Sequence, residues 1–242
     1  MPIHADDDSL SRLLELQLED SEITRLEDRR ASLPEAARLA EMNEQLEELG
    51  ADIATATKNQ DGFASDQSKA EGEMEILDQK IAKEEARMYG GGVSNPKELS
   101  ALQAEIEMLK RKRGVLEDQV LEAMVHKDDY AATAERLTAE RDGLQTEANS
   151  LSATVNEISS DIDAELLKHR TKRSEVAATL TDELRDLYEK LREQKHGVGA
   201  AALEGGTCQG CHTQLPAREV ERLKAERGLQ RCDNCRRILV IV

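Results

Sequence analysis

Two ladders of apolar residues, each repeating every seven positions, mirror one another about a glycine-rich turn, and they constrain this chain more than any other feature. One seam position of the first ladder holds Leu39, Leu46, Ile53, Gln60, Gln67, Met74, Ile81 and Met88; three residues on, a second holds Met42, Leu49, Ala56, Phe63, Ala70, Leu77 and Glu84. After the turn, Leu99, Ile106, Arg113 and Val120 begin one series that reaches Ile162, and Leu102, Leu109, Leu116 and Ala123 begin another that reaches Ile158. This is the 3.5-residue repeat of a coiled coil. The residue numbers of facing positions, such as Met88 with Leu99, Ile81 with Ile106 and Leu77 with Leu109, add to a near-constant 186 or 187, as antiparallel pairing requires. At about 1.5 Å per residue, Leu39 to Met88 alone would span about 75 Å. Polar seam residues, such as Gln60 opposite Lys127, are expected to weaken packing locally and fix register.

The alternative is that each ladder pairs with a second chain. The turn argues for the hairpin. Tyr89, Gly90, Gly91, Gly92, Val93 and Ser94 interrupt the first helix, and Asn95, Pro96, Lys97 and Glu98 restart the second, with Asn95 as the cap, Pro96 where a missing N–H costs nothing and Glu98 spaced for a capping box. The tip is therefore 89–98. Composition agrees: a 242-residue chain with no Trp, one Phe, three Tyr and 34% charged residues has little bulky material for a conventional core.

Upstream, Asp6, Asp7, Asp8 and Ser9 open a helical run carrying Leu13, Leu16, Ile23, Leu26 and Leu33. Pro34 breaks that run, with Ser32 and Glu35 spaced as a second capping box. The pairing rule sets this segment against residues 153–175, where the seam steps through 158, 162 and 166, the four-residue spacing of a stutter. The helix is expected to continue through Val176, Leu180, Leu184, Leu187 and Leu191.

From about Lys195 the character changes: glycines appear, heptads stop, and all four cysteines fall in Cys208-Gln-Gly-Cys211 and Cys232-Asp-Asn-Cys235. Two CxxC knuckles at that separation match a four-thiolate zinc site, because each tight turn brings two sulfurs to about 2.3 Å from a tetrahedral metal. One structural zinc would then supply the folding energy of the module. Disulfides are disfavoured in a reducing compartment. A redox pair has no βαβ setting around it, and iron is the less common occupant of such a site. His212, beside a ligand, reads as a surface residue. The division expected is a hairpin over 1–195 and a C4 zinc ribbon over 196–242, mainly α with short ribbon strands.

These features resemble the bacterial family of coiled-coil hairpin proteins with a C-terminal C4-type zinc ribbon, across essentially the whole chain. The matching stretches are the tip, Val93-Ser-Asn-Pro-Lys-Glu-Leu99 into Ala101-Leu-Gln-Ala-Glu-Ile106, the two knuckles with Leu215-Pro216 between them, and the ending Cys232-Asp-Asn-Cys-Arg-Arg-Ile-Leu239. The chain looks most like an actinobacterial, mycobacterial member. The resemblance implies a ribbon strand near Val198 to Leu203. It also implies an adaptor or nucleic-acid-binding role, and a flagellar-biogenesis branch of the family acts as a chaperone for a sigma factor. Two positions depart from the family pattern: Arg236 stands where glycine usually follows the last cysteine, and Val240 where an aromatic is usual.

Charge weighs one partner class against another. The net charge is -17, which repels phosphate along the helices. From Lys195 onward eight Lys and Arg face five acids, a local balance of +3. Arg218, Arg222, Lys224, Arg227, Arg231, Arg236 and Arg237 are the candidate contacts to nucleic acid or to an acidic partner, and Asn95, Pro96, Lys97 and Glu98 the candidate protein-binding tip. No aromatic follows Tyr188, so base stacking in the ribbon is excluded. The basic run Lys110-Arg-Lys-Arg113 reads as a solvated helix face. No GxxxxGK[ST] motif is present, and the acids of a two-helix rod lack the burial that tunes a catalytic pKa. No leader is recognisable, and the longest apolar run, Ile238 to Val242, is too short to cross a bilayer. The expectation is a cytoplasmic, non-enzymatic scaffold, monomeric or weakly dimeric, acting on a protein client as adaptor or chaperone, with no membrane or small-molecule substrate. The alternative is a nucleic-acid-binding protein working through the ribbon.

Overall fold

The computed structural model describes residues 5–226 and 228–242. Among these residues five helices, α1 (Asp7–Ala31), α2 (Pro34–Tyr89), α3 (Pro96–Ala178), α4 (Asp182–Gln194) and α5 (Ala217–Ala225), accompany four short strands, β1 (Ala200–Glu204), β2 (Thr207–Cys208), β3 (Gln230–Arg231) and β4 (Ile238–Ile241). They form two compact units, one of residues 38–151 and one joining residues 1–37 to 152–242.

In the first unit α2 and α3 lie antiparallel. Its buried residues are Met42, Ala56, Ala70, Ile81, Leu102, Ile106, Leu109, Ala123 and Ala148, every one of them on the heptad ladders. Near the turn Ile81 packs with Ile106 and Leu109, flanked by Leu77 and Met88, which is the expected pairing. Farther along, Phe63 stacks on His126 and Tyr130 at ring-centroid distances of 4.8 and 5.7 Å. The Lys127 ammonium donates to Gln67 Oε1 at 3.0 Å, a polar contact between the two arms one heptad away from Gln60. Ion pairs cross between the arms at Lys110–Glu85 (2.6 Å) and Arg113–Asp78 (2.7 Å), and Arg111 pairs with Glu107 along α3 at 3.5 Å, so most of the basic run is neutralised where it stands.

At the tip, the Lys97 N–H donates to Asn95 Oδ1 and the Leu99 N–H to the Asn95 carbonyl, both at 3.0 Å, making Asn95 the cap of α3. Glu98 lies 4.0 Å from the Arg87 guanidinium across the turn.

In the second unit α1 packs on the last third of α3. Ile23, Leu26 and Leu33 bury against Ile162 and Leu166, with Ile158 at the edge, so the stuttered seam is filled as its spacing predicts. Asp6 caps α1 through the Ser9 N–H at 2.9 Å. Ser32 and Glu35 form no capping box: the Ser32 hydroxyl donates back to the Asp28 carbonyl at 2.7 Å, and Leu33 supplies the carbonyl that starts α2. The expected unbroken helix through Leu180 is also corrected. α3 stops at Ala178, and Thr181 caps α4 by accepting from the Leu184 N–H, with Asp182 and Glu183 in the first turn. The break turns Leu180, Leu184, Tyr188 and Leu191 into one core with Leu10, Leu13 and Leu16 of α1.

The strands form one sheet in the order β2-β1-β4-β3, with β1 parallel to β4 and the other pairs antiparallel. Successive strand side chains face opposite ways. Ala200, Ile238 and Val240 face the α1–α4 core, while Ala201, Leu203 and Leu239 face the cysteines, Leu215 and Leu223. Covering on both faces explains why β1 and β4 read as unbroken apolar runs instead of alternating ones.

Candidate metal centre and its supports

Each CxxC motif folds into the same small turn. The His212 N–H donates to the Cys208 carbonyl and the Arg236 N–H to the Cys232 carbonyl, both at 2.8 Å; the Cys208 and Cys232 N–H groups bond the carbonyls of Thr213 and Arg237 at 3.1 and 3.0 Å. The residue after each second cysteine sits in the left-handed region, His212 at φ 55° and Arg236 at φ 65°. That conformation is nearly free for glycine and costs other residues about 1–2 kcal/mol. It gives a physical reason for glycine at the position of Arg236.

The turns bring the four sulfurs together. All lie within 4.8 Å of one another, with Cys208 to Cys235 at 3.9 Å and Cys211 to Cys232 at 3.8 Å, and none is in a disulfide. A tetrahedron with metal–sulfur bonds of about 2.3 Å has sulfur–sulfur edges of about 3.8 Å. The donor set fits one structural zinc, and with four thiolates bound no coordination position remains open for a substrate.

The thiols differ in surroundings. Burial pushes Cys208 up to about 12, outweighing the backbone N–H groups of Gly210 and Cys211 that favour its thiolate. Burial also raises Cys232. For Cys211 burial acts in the same direction, but hydrogen bonds from Thr213 and Asn234 outweigh it and bring the thiol down to about 6. Asn234 Nδ2 reaches both Cys211 Sγ at 3.6 Å and Thr213 Oγ1 at 2.8 Å, so a residue inside one knuckle orients a ligand of the other.

Two further side chains hold the metal-bearing sheet in place: Gln17, which no motif marks, and Arg237, which was expected as a contact to nucleic acid or an acidic partner. Arg237 spends its guanidinium on the carbonyls of Val198, Gly210 and Lys195, at 2.8, 2.8 and 2.9 Å. Gly210 is required beneath it, since a Cβ there would come within 2.8 Å of Arg237 Cδ and 2.9 Å of Ala201 Cβ. Gln17, only 4% exposed, accepts from the Gly199 N–H at 2.7 Å, the Ala200 N–H at 3.3 Å and the Tyr188 hydroxyl at 3.2 Å, and donates to the Gly197 carbonyl and Ser21 Oγ at 3.0 Å. One polar residue of α1 thus replaces the strand partners that the entry into β1 lacks.

Around Gln17 the charges are mutually satisfied. Asp20, 2% exposed, accepts from the Tyr188 hydroxyl and Arg173 Nε, both at 2.7 Å. Arg173 also pairs with Glu189. Burial opposes the Arg173 charge, and the two carboxylates outweigh it; burial beside Asp20 pushes the Tyr188 hydroxyl up. Glu19 meets His169 at 2.6 Å and Lys172 at 2.8 Å.

The candidate basic contacts do not gather into one free patch. Arg237 is the clamp just described, Arg222 is held between Glu219 and Glu226, and Arg236 lies 3.9 Å from Asp233. Arg218, Lys224 and Arg231 make no ion pair among the described residues, and Arg227 lies outside them. At the tip, Asn95, Pro96, Lys97 and Glu98 are exposed, and Tyr89, the last residue of α2, is 80% exposed. Among the described residues no helix is long and apolar enough to cross a membrane.

Comparison with known proteins agrees with this architecture. Residues 16–196 match the CT398-like coiled coil hairpin domain, and residues 207–239 the C4-type zinc ribbon domain. The uncharacterized Mycobacterium tuberculosis protein Rv2229c is 31% identical over 237 residues, 94% of this chain and 93% of that one. A solved structure from Mycobacterium smegmatis superposes with a TM-score of 0.86 at 27% identity, covering 98% of this chain and 100% of that chain. CT398 from Chlamydia trachomatis shares the fold at a TM-score of 0.79 and 20% identity, covering 97% of this chain and 98% of that chain. The chain belongs to the CT398-like coiled-coil hairpin family and carries a C4-type zinc ribbon domain after the hairpin.

Proposed function

We propose that this family member is a non-enzymatic scaffold that binds proteins, as adaptor or chaperone, through its helix faces and tip. The observation that carries the reading is the use made of the ribbon's cations. Arg237 is bonded to three backbone carbonyls and Arg222 to two carboxylates, so two of the ribbon's cations are held by the chain itself, and the chain as a whole carries a net charge of -17. The zinc has a closed ligand set, and the buried charges of α1, α3 and α4 satisfy one another, an arrangement suited to rigidity instead of proton transfer. The tip offers what a protein partner uses: an exposed tyrosine, Tyr89, at the end of α2 and an exposed, well-capped start of α3 across the turn.

The test combines two measurements on the full, zinc-loaded chain. Fluorescent single-stranded RNA and duplex DNA are titrated from low to physiological salt, and proteins from native lysate are captured with the wild type and with Tyr89→Ala. The scaffold reading expects no steep, salt-dependent nucleic-acid binding, and specific protein capture that the tip variant reduces. Nucleic-acid affinity falling steeply with salt, and lost in Arg218→Glu with Arg231→Glu, would replace it with the nucleic-acid reading.

A further inference from the structure

A two-helix coiled coil needs apolar residues only on its seam, yet the residues immediately before two seam leucines are also large and apolar. Ile76 precedes Leu77 and Val115 precedes Leu116, and the pair stand 54% and 59% exposed on opposite arms of one groove. That stretch of groove encloses ≈ 510 Å³ between Glu73, Ile76 and Leu77 on α2 and Lys112, Val115 and Gln119 on α3. A second stretch of ≈ 420 Å³ that reaches Phe63 adjoins it, the two sharing Glu73, Leu116 and Gln119. From Phe63 to Leu77 the floor is about 20 Å long at about 1.5 Å per residue, the length of a helix of about 14 residues.

Charge and size select the occupant. Asp66, Glu73 and Glu122 rim the groove against Lys69 and Lys112; Lys69 and Asp66 pair with each other at 3.2 Å, which leaves Glu73 and Glu122 against Lys112. Glu73 makes no ion pair among the described residues. The surrounding unit, residues 38–151, holds 25 acids against 14 bases, so a second copy would bring another balance of -11 to the contact. A patch about 20 Å by one helix diameter of about 10 Å is also well short of the ~800 Å² per partner of a stable dimer. We propose that this groove receives one amphipathic helix of another protein, with apolar residues at i, i+3 or i+4 and i+7 and basic residues flanking them. The proposal rests on the scaffold reading and gives it a site and a class of client.

The test uses a synthetic 14-residue helix of leucine at those spacings with lysine elsewhere, titrated by fluorescence anisotropy against the full zinc-loaded chain at physiological salt. Controls are a peptide of the same composition in scrambled order and one with glutamate replacing lysine. The groove predicts saturable binding of the first peptide alone, with methyl shifts at Leu77 and Leu116, and at least a tenfold loss of affinity in Ile76→Gln with Val115→Gln. Both positions are exposed, so circular dichroism and zinc content should match wild type in that variant. Equal binding by the double variant, by the scrambled peptide or by the acidic one would overturn the proposal, as would no saturable binding. A wild-type chain that sediments as a dimer, with a double variant that does not, would instead make the groove a self-interface. If the peptide fails while Tyr89-dependent protein capture persists, the groove is removed and the scaffold reading stands. Absence of any captured protein removes the scaffold reading independently.

Discussion

Replacing Gln17 with alanine tests how the sheet that carries the zinc is held. The substitution removes an acceptor shared by the Gly199 and Ala200 N–H groups and a donor to the Gly197 carbonyl. Gly199 is buried, and Tyr188 crowds it so closely that a Cβ there would lie 2.7 Å from the Tyr188 carbonyl oxygen, so little room exists for water to take the amide's place. A buried donor left unpaired costs about 1–3 kcal/mol, the half-buried Gly197 carbonyl costs less, and the vacated side-chain volume adds to both. The expected destabilisation of the zinc-loaded protein is about 2–4 kcal/mol. The Tyr188 hydroxyl keeps Asp20 and contributes little to the loss. Gln17→Leu, which preserves most of the volume, should recover only the packing part. Urea unfolding gives the free energy, and hydrogen exchange gives its location: the Gly199 and Ala200 amides should exchange faster in both variants. A change below about 0.5 kcal/mol with unaltered exchange at those amides would refute the reasoning.

Other outcomes follow from the same geometry. Cys208→Ser should abolish stoichiometric zinc and unfold the residues facing the cysteines, while circular dichroism shows most helicity retained; metal analysis and CD check this together. Arg236→Gly relieves a left-handed φ of 65° and loses only an exposed ion pair of 3.9 Å, so zinc loss to a chelator should slow several-fold, in keeping with about 1 kcal/mol. Burial raises the Glu19 carboxyl, but hydrogen bonds from Lys172 and His169 outweigh it and hold the group below its ordinary 4.5. A depressed carboxyl stabilises above its unfolded value and loses that contribution as pH falls through the folded one. Glu19→Gln should therefore be less stable than wild type by about 1–3 kcal/mol at pH 7, with the gap closing below about pH 4.5, as thermal melts across pH would show.

The hairpin was legible because a heptad is a local statement repeated many times: each buried residue of unit 38–151 is one the ladder marks. The zinc ligands were legible for a related reason, since two tight turns set four sulfurs by spacing alone. Reading failed where one tertiary contact decides. Apolar residues continue at helical spacing past Ala178, and only the capping hydroxyl of Thr181 and the demand of the α1 core for Leu180 break the helix. Ser32 has a capping spacing, but its hydroxyl finds the Asp28 carbonyl first. Arg237 looks like any cation in a basic segment until β1 and the first knuckle present three carbonyls to it. Gln17 carries no motif at all. Its nearest signal was a glutamine on the apolar face of α1, one residue after Leu16, where a polar group is costly unless satisfied.

The account depends most on the two arms pairing within one chain. Zero-length carbodiimide cross-linking reads this directly on the unmodified protein, because Lys110 lies 2.6 Å from Glu85 and Lys172 lies 2.8 Å from Glu19. Equal amounts of normal and nitrogen-15 chains are mixed, unfolded, refolded with zinc, cross-linked and digested. Linked peptides joining 110 to 85 and 172 to 19 should be wholly light or wholly heavy. Hybrid light–heavy peptides at half of the total would mean that the arms pair between chains, and the hairpin would be wrong.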